Sequence, residues 1–357
     1  DKKKAESLIA TSFCVAVTFS LLVTILLEIF LPGILKVLNT PAETYDMAYS
    51  YLAIYILGYL AVYLYLYFTA VLRSFGNSMF QAVAMLVSTI LNAFFDPIFI
   101  HFIGFHGAAI ATLLSQVICL AFMLIYLKKK KLFEFKISAF DKNDVLTLIQ
   151  KAIPSVIQQS IPAISTTFLT ALVSTYSVTA IAAYGVTGNL ETILFYPAMA
   201  LNMVLTTIIG QCAGGARYDR AKDYLKCALG YGCGLLVILS VLVVGFSKQL
   251  SGLFVRSSDV AVIVGTYFLI VSIGYVLNTV TNCYLGALNG MGKPSISMFL
   301  MIFYYIVVRM PLAYLLSYLG FGLNGIWVAV LVSHIVASLA ATMTGTVLIR
   351  KKGNIKA

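Results

Sequence analysis

Three ionisable residues lie deep inside long apolar stretches of the sequence: Asp96, Glu191 and Arg309. Asn92 stands four residues before Asp96, so on a helix both side chains share one face. Pro97 has no amide hydrogen and therefore leaves the carbonyl of Ala93 without its helical partner. A carboxylate, an amide and a free carbonyl would thus lie within one helical turn.

This cluster has the chemistry of a cation site. Oxygen ligands suit hard cations such as Na+, and a buried carboxylate suits a proton. Thr112, on the next apolar stretch, would add a hydroxyl to the set. The competing interpretation is structural, with Asp96 only capping the kink that Pro97 makes.

The other polar residues in apolar stretches each have two interpretations. Glu191 either contacts a cationic substrate or hydrogen-bonds a neighbouring helix. Arg309, two residues before Pro311, is expected to pair with freed carbonyls or a carboxylate in preference to a substrate. Five amides either line a cavity or bond helix to helix: Gln158, Gln159, Asn202, Asn278 and Asn282.

The composition indicates that a membrane surrounds these residues. Apolar residues make up 61% of the 357 residues and charged residues only 10%, with a mean hydropathy of +0.97. A soluble domain is about a quarter charged. The chain therefore has too few charges to cover a surface in water. This excludes a soluble enzyme, a disordered chain and a nucleic-acid binder, despite the net charge of +11.

Ten stretches have the roughly 20 mostly apolar residues that a membrane-spanning helix needs. They cover about 7–31, 46–72, 78–103, 106–127, 148–173, 178–211, 223–246, 260–288, 294–319 and 323–349. Turn-forming residues separate them, beginning with Pro32 and Gly33. The pattern predicts an all-α polytopic membrane protein, and the six isolated cysteines indicate neither a disulfide framework nor a cofactor.

Charge placement predicts the orientation of these spans. If the ten spans alternate sides, 20 of the 24 Lys and Arg residues fall on one side. Cytoplasmic loops collect Lys and Arg, so we expect that side, which includes the C-terminus, to be cytoplasmic in an inner (plasma) membrane.

An internal repeat organises the chain. A shift of 216 residues places three glycines on three others: Gly58 on Gly274, Gly76 on Gly292 and Gly104 on Gly320. We predict a four-span N-lobe (1–127), a cytoplasmic linker (128–147) and a six-span C-lobe (148–357). The first lobe is about 72 residues short, so we expect ten of twelve helices, although a natural ten-helix protein is the alternative.

Two regions carry a family resemblance. One contains AAYG at 182–185 and GGARYDRAK at 214–222, and the other contains NAFFDPIFI at 92–100 and GAAIAT at 107–112. They resemble the multidrug and toxic compound extrusion (MATE) family, over the whole chain but without that family's first two helices. The resemblance implies an antiporter that expels organic cations through a cleft between two lobes, driven by Na+ or H+ entry.

The resemblance also implies where the coupling ion binds. The family's N-lobe cation site falls on Asn92, Asp96 and Thr112, and we expect no metal beyond Na+ there. Some members have an acid pair in the C-lobe, but Pro162 and Asn278 stand at those positions here. C-lobe coupling of that kind is therefore not expected. The candidate substrate cavity comprises Glu191, Gln158, Gln159, Asn278 and Asn282.

Other functions remain open at this point. A lipid-linked sugar flippase of the same superfamily would need several basic residues in its cavity, and only Arg309 is available. An inactive fragment of an exporter is a further alternative. An enzyme is not expected, because no H-E-x-x-H motif or Ser/His/Asp set is evident. The expected partners are the bilayer and small organic cations, with no nucleic acid, and we expect a monomer.

The charge pattern makes a testable prediction about topology. In a background without native cysteines, a cysteine replacing Lys130 should react with a membrane-impermeant thiol reagent only from the cytoplasmic side. Lys36 follows the first predicted span, on the side of the membrane opposite to the one predicted for Lys130. Lys36→Cys is therefore the matched control and should react from outside intact cells. External labelling of Lys130→Cys would show that the predicted orientation is reversed.

Overall fold

A computed structural model describes residues 2–37, 40, 42–130 and 140–354, and all regular secondary structure in these ranges is helical. The chain divides into two compact units, Asp1–Ile149 and Gln150–Ala357. The predicted all-α class is confirmed. Residues 131–139 of the predicted linker lie outside the described residues.

The first unit contains five complete helices and the start of a sixth. These are α1 (Lys2–Val37), α2 (Ala42–Leu57), α3 (Tyr59–Ser74), α4 (Ser78–Ile103), α5 (His106–Lys130) and α6 (Lys142–Ser174), which continues into the second unit. The start of α6 is fastened to α1 by Lys4, whose Nζ donates to Asp144 Oδ1 at 2.6 Å. The unit boundary therefore lies inside a continuous helix.

The second unit contains the rest of α6 and six further helices. They are α7 (Val178–Gly214), α8 (Tyr218–Ser251), α9 (Ser258–Gly290), α10 (Pro294–Ile302), α11 (Met310–Leu316) and α12 (Gly322–Asn354). Two π-helical stretches, Phe303–Arg309 and Ser317–Phe321, join α10 to α11 and follow α11. Its core is formed mainly where α9 packs against α7, α8 and α12.

Helix lengths support a protein that crosses a membrane several times. Within the described ranges, eight helical segments are long and apolar enough to cross a bilayer, and the bent pair of α2 and α3 makes a ninth. The last segment, Pro294–Ile349, covers two predicted spans. It turns at Gly320 and Gly322, where φ is +88° and +61°, and α12 packs back against α11. Each predicted span therefore has a helical counterpart.

The exposed surface has the character expected of a lipid-facing one. On α4, Leu86, Ile90 and Phe94 recur every four residues and are 61%, 58% and 63% exposed. A row of large apolar side chains along one helix face would be unfavourable in water. In a bilayer such a row is favourable, and other faces of α4 remain for contacts within the protein.

One predicted break is wrong. Residues 31–33 were expected to end the first span, but α1 continues through Pro32 to Val37. Proline is tolerated inside membrane helices because neighbouring groups compensate for the lost hydrogen bond. Here Leu31 and Leu35, on either side of Pro32, are buried in a cluster with Ile56 of α2. This packing keeps the last turns of α1 helical.

The internal repeat is visible in the backbone. A shift of 216 residues carries Ala42 and Ser74, the outer ends of α2 and α3, onto Ser258 and Gly290, the ends of α9. The paired turn glycines also agree, with φ of +79° at Gly76 and +73° at Gly292. The copies differ at their centres, since α2 and α3 are bent by 48° whereas α9 is one helix.

Helices α7 and α9 approach each other through glycine. A Cβ atom at Gly286 would lie 2.5 Å from the carbonyl oxygen of Asn202, and one at Gly290 would lie 2.7 Å from that of Thr206. Glycines four residues apart form such close helix contacts in membranes. The Thr206 hydroxyl also donates to the Gly286 carbonyl at 3.3 Å.

This close contact predicts that stability is sensitive to the size of the side chain at position 286. Gly286→Ala should lower the free energy of unfolding by about 1–3 kcal/mol, because the new methyl group overlaps backbone that cannot rotate away. Gly234→Ala on α8 is the matched control, since nothing lies within 4 Å of its added Cβ and alanine favours the helix. Thermal unfolding in detergent measures both variants. Equal stability of the two would contradict the close contact.

Candidate functional site

The structure brings the three residues of the predicted cation cluster together. Asn92 Nδ2 donates to Asp96 Oδ1 at 3.1 Å and to Thr112 Oγ1 at 3.2 Å. The Thr112 hydroxyl in turn donates to the Ala108 carbonyl at 3.0 Å. One carboxylate, one amide and one hydroxyl therefore form a connected set of oxygen-bearing groups.

The positions of α4 and α5 account for this cluster. Asn92 and Asp96 are one turn apart on α4, and Thr112 faces them from α5, which packs closely against α4. The close approach depends on Gly107, where a Cβ atom would overlap the backbone of Phe99. All three cluster side chains are half-buried. The site is thus partly covered by the protein without being closed.

A second polar region is a cavity inside the second unit. Its volume is about 250 Å³. It is lined by Gln159, Pro162, Thr166, Leu169, Tyr184, Glu191, Phe195, Met199, Tyr267, Asn278, Thr281, Asn282, Met301, Tyr305, Arg309 and Val330. The lining combines aromatic rings and amides with one acidic and one basic side chain.

Glu191 is held in this cavity by two tyrosines of α9. Tyr267 and Tyr275 donate hydroxyl hydrogen bonds to the same carboxylate oxygen, Oε1, at 2.5 Å and 2.7 Å. The two tyrosines are eight residues apart, so they lie on one face of α9. Glu191 therefore both bonds a neighbouring helix and faces the cavity.

The surroundings of Arg309 differ from those that the sequence predicts. Its Nε donates to Ser333 Oγ at 2.8 Å, and its Nη2 donates to the Tyr304 hydroxyl at 2.6 Å. The guanidinium also lies 4.5 Å from the ring centroid of Tyr305. Hydroxyls and π faces, not carbonyls or a carboxylate, thus stabilise this cation in the described part of the chain.

The local backbone explains how Arg309 reaches these partners. Arg309 ends the π-helical stretch Phe303–Arg309, and Pro311 follows at the start of α11. A π-helical turn inserts an extra residue and rotates the side chains that follow it. Its partner Ser333 lies on α12, and its partner Tyr304 lies within the π-helical stretch itself.

The amides divide between two roles. Gln159, Asn278 and Asn282 line the cavity, and Asn282 Nδ2 donates to Asn278 Oδ1 at 3.2 Å. Asn202 joins them across the helix contact, with its Nδ2 donating to Asn282 Oδ1 at 3.4 Å. Gln158 is not part of the lining. It is 4% exposed, and its Oε1 has no partner among the described residues.

Sequence reasoning missed the aromatic half of this cavity. Tyr184, Tyr267 and Phe195 line it, yet in the sequence they are indistinguishable from ordinary packing aromatics. The usable signal was the spacing of Tyr267 and Tyr275, eight residues apart on the helix that also carries Asn278. The spacing of the two tyrosines alone does not show which neighbouring helix they face.

Comparison with known proteins identifies the family. The MatE family model matches residues 1–98 and 154–315, most of the chain. The chain belongs to the MatE family. Its members are transporters, so this protein is a multi-pass membrane transporter of small molecules and not an enzyme.

Similar proteins agree with this assignment. The chain is 23% identical to the probable multidrug resistance protein YoeA of Bacillus subtilis over 343 residues, which are 92% of this chain and 74% of YoeA. It is 25% identical to the uncharacterized transporter YisQ of the same organism over 275 residues, covering 73% of this chain and 60% of YisQ.

A solved structure shares the fold. A MOP superfamily transporter from Pyrococcus furiosus superposes with a TM-score of 0.93 at 21% identity, covering 99% of this chain and 80% of that one. At this identity the likeness concerns the helix arrangement alone.

The cation cluster predicts a measurable contribution to stability. Thr112→Val should lower the free energy of unfolding by about 0.5–1.5 kcal/mol, because Asn92 loses one acceptor while side-chain volume is kept. Thr89→Val on the same α4 is the control, since its exposed hydroxyl bonds the Met85 carbonyl and lies outside the cluster. Thermal unfolding in detergent compares them. If both variants unfold alike, the hydroxyl of Thr112 does not hold the cluster together.

Proposed function

We propose that this protein is a secondary active antiporter that exports organic cations by alternating access, coupled to the entry of Na+ or H+. The observation that carries the proposal is the hydrogen-bonded set of Asn92, Asp96 and Thr112. It supplies the oxygen ligands that a hard cation needs, around the one carboxylate of α4.

Coupling requires that the site bind its ion in one conformation and release it in another. A half-buried carboxylate suits this task, because its exposure to water can change when helices α4 and α5 shift. The amide of Asn92 and the hydroxyl of Thr112 are neutral, so Asp96 supplies the charge of the site whether the ion is a proton or Na+. The same geometry therefore serves both coupling ions.

The cavity in the second unit supports the proposed class of substrate. Glu191 supplies a negative charge, and the faces of Tyr184, Phe195 and Tyr267 are aromatic surfaces that attract cations. YoeA, a relative that spans most of this chain, is named as a probable multidrug resistance protein. Export of organic cations follows as the proposal for this chain.

The distribution of charged residues supports a proposal for the membrane and the orientation of this protein. The concentration of Lys and Arg in one group of loops supports a plasma membrane protein whose C-terminus faces the cytoplasm. We propose that it acts as a monomer, with no cofactor other than the coupling ion.

Transport in vesicles tests the proposal directly. The chain is reconstituted in lipid vesicles loaded with ethidium, and an inward Na+ gradient or an inward H+ gradient is imposed alone. One of the two gradients should accelerate ethidium efflux over protein-free vesicles. If neither gradient changes efflux, the antiporter proposal is wrong for this chain.

Asp96→Asn tests the role of the carboxylate. The side chain keeps its shape, so expression should be normal, but it can no longer exchange a proton and binds Na+ less well. Gradient-driven ethidium efflux should fall at least about tenfold, equivalent to about 1.4 kcal/mol of coupling. Asp46→Asn, an exposed carboxylate on α2, is the matched control and should transport normally. Full efflux from Asp96→Asn would leave Asp96 a structural cap for the Pro97 kink.

A further inference from the structure

The cavity of the second unit contains two opposite charges that do not pair. Glu191 and Arg309 both line it. Among the described residues, no ion pair within 4.0 Å involves Glu191 or Arg309. Each is instead held by neutral side chains.

Each charge has one atom that these contacts leave unused. Both tyrosine hydrogen bonds to Glu191 end on Oε1, and no described residue donates to Oε2. Arg309 uses Nε and Nη2 for Ser333, Tyr304 and His334, and its Nη1 has no acceptor in the described ranges. The carboxylate thus keeps an acceptor, and the guanidinium keeps donors, for something else.

Such an arrangement is costly unless further groups contact the two charges. A charge removed from water destabilises the protein unless an opposite charge or several hydrogen bonds compensate it. Arg309 is 6% exposed and relies on hydroxyls and the rings of Tyr304 and Tyr305. A ligand that brought its own charges to both side chains would relieve both costs together.

We propose that this cavity binds a zwitterion, a small aromatic molecule with an ammonium group directed to Glu191 and a carboxylate directed to Arg309. The inference rests on the proposed export function and specifies its substrate class. A plain organic cation would satisfy Glu191 but leave a second positive charge in the cavity with Arg309. The arginine therefore makes a ligand that also carries an acid group bind this cavity more tightly than a plain cation does.

The chemistry of each lining group fits one part of this ligand. A guanidinium presents parallel N–H groups that match a carboxylate. The rings of Tyr184, Phe195 and Tyr267 suit an aromatic body between the two charged ends. The volume of about 250 Å³ is smaller than the roughly 300–1,000 Å³ of pockets for drug-sized ligands. A single-ring zwitterion is the size that this space favours.

A matched series of three ligands tests the proposal. The full chain in lipid nanodiscs is titrated calorimetrically with 4-(aminomethyl)benzoate, 4-methylbenzylamine and 4-methylbenzoate. These carry both charges, the ammonium alone and the carboxylate alone on one ring. The zwitterion should bind at least about tenfold more tightly than either singly charged ligand.

Variants assign each charge to its partner. Glu191→Gln should reduce zwitterion binding about tenfold while leaving 4-methylbenzoate binding unchanged or tighter. Arg309→Gln should reduce zwitterion binding similarly while leaving 4-methylbenzylamine unchanged or tighter. Arg309→Lys and Glu191→Asp keep the charges and should retain preference for the zwitterion. Asp259→Asn and Arg256→Gln, both exposed and outside the cavity, are controls that should bind like the unaltered chain.

Three results would overturn the proposal: 4-methylbenzylamine binding as tightly as the zwitterion, unchanged zwitterion binding by Arg309→Gln, or no binding of any of the three ligands. The ligand series on the unaltered chain decides the question even if a variant fails to fold. Ethidium efflux driven by an ion gradient is measured separately. The export function can therefore hold while the zwitterion proposal fails, whereas absence of gradient-driven efflux would contradict the export function itself.

Discussion

Polar and charged side chains inside a bilayer must find their partners within the protein, because lipid offers none. This constraint accounts for the arrangement of both polar regions described above. In the first unit, Asn92 links Asp96 to Thr112 across two helices. In the second, two tyrosines of one helix hold Glu191 of another. Close packing of specific helix pairs makes these contacts available, so the packing and the chemistry depend on each other.

Small residues make that packing possible. Gly107 lets α5 approach α4 beside the cation cluster, and Gly286 lets α9 approach α7 beside the cavity. A bilayer provides little hydrophobic driving force for helix association, so backbone proximity and interhelical hydrogen bonds carry much of it. The glycines thus matter to function through distance, since a methyl group at either position would separate the helices that carry the polar side chains.

The two repeats share a backbone arrangement but differ in their polar side chains. The repeat places apolar residues at the positions equivalent to Asn92, Asp96 and Thr112: Val308, Leu312 and, because two residues are inserted after Phe321, Val330. The second unit therefore has no copy of the cation cluster in its sequence, and the two charges of its cavity, Glu191 and Arg309, stand at other positions. Under the proposed function, this divergence gives ion coupling to one unit and a charged substrate cavity to the other. Helix α9, the single-helix counterpart of the bent pair α2 and α3 in the repeat, belongs to the unit that contains the cavity.

The sequence by itself determined the helices, the repeat and the cation cluster. Apolar runs and turn glycines depend on neighbouring residues, and Asn92 and Asp96 share a helix face because they are four apart. Only the tertiary structure decided the surroundings of Glu191 and Arg309, and that Gln159 lines the cavity while Gln158 does not. Glu191 and its tyrosines are separated by 76 and 84 residues. Contacts between residues so far apart in sequence depend on which helices pack together and on how each helix is rotated about its axis. The spacing of side chains within one apolar helix determines neither of these.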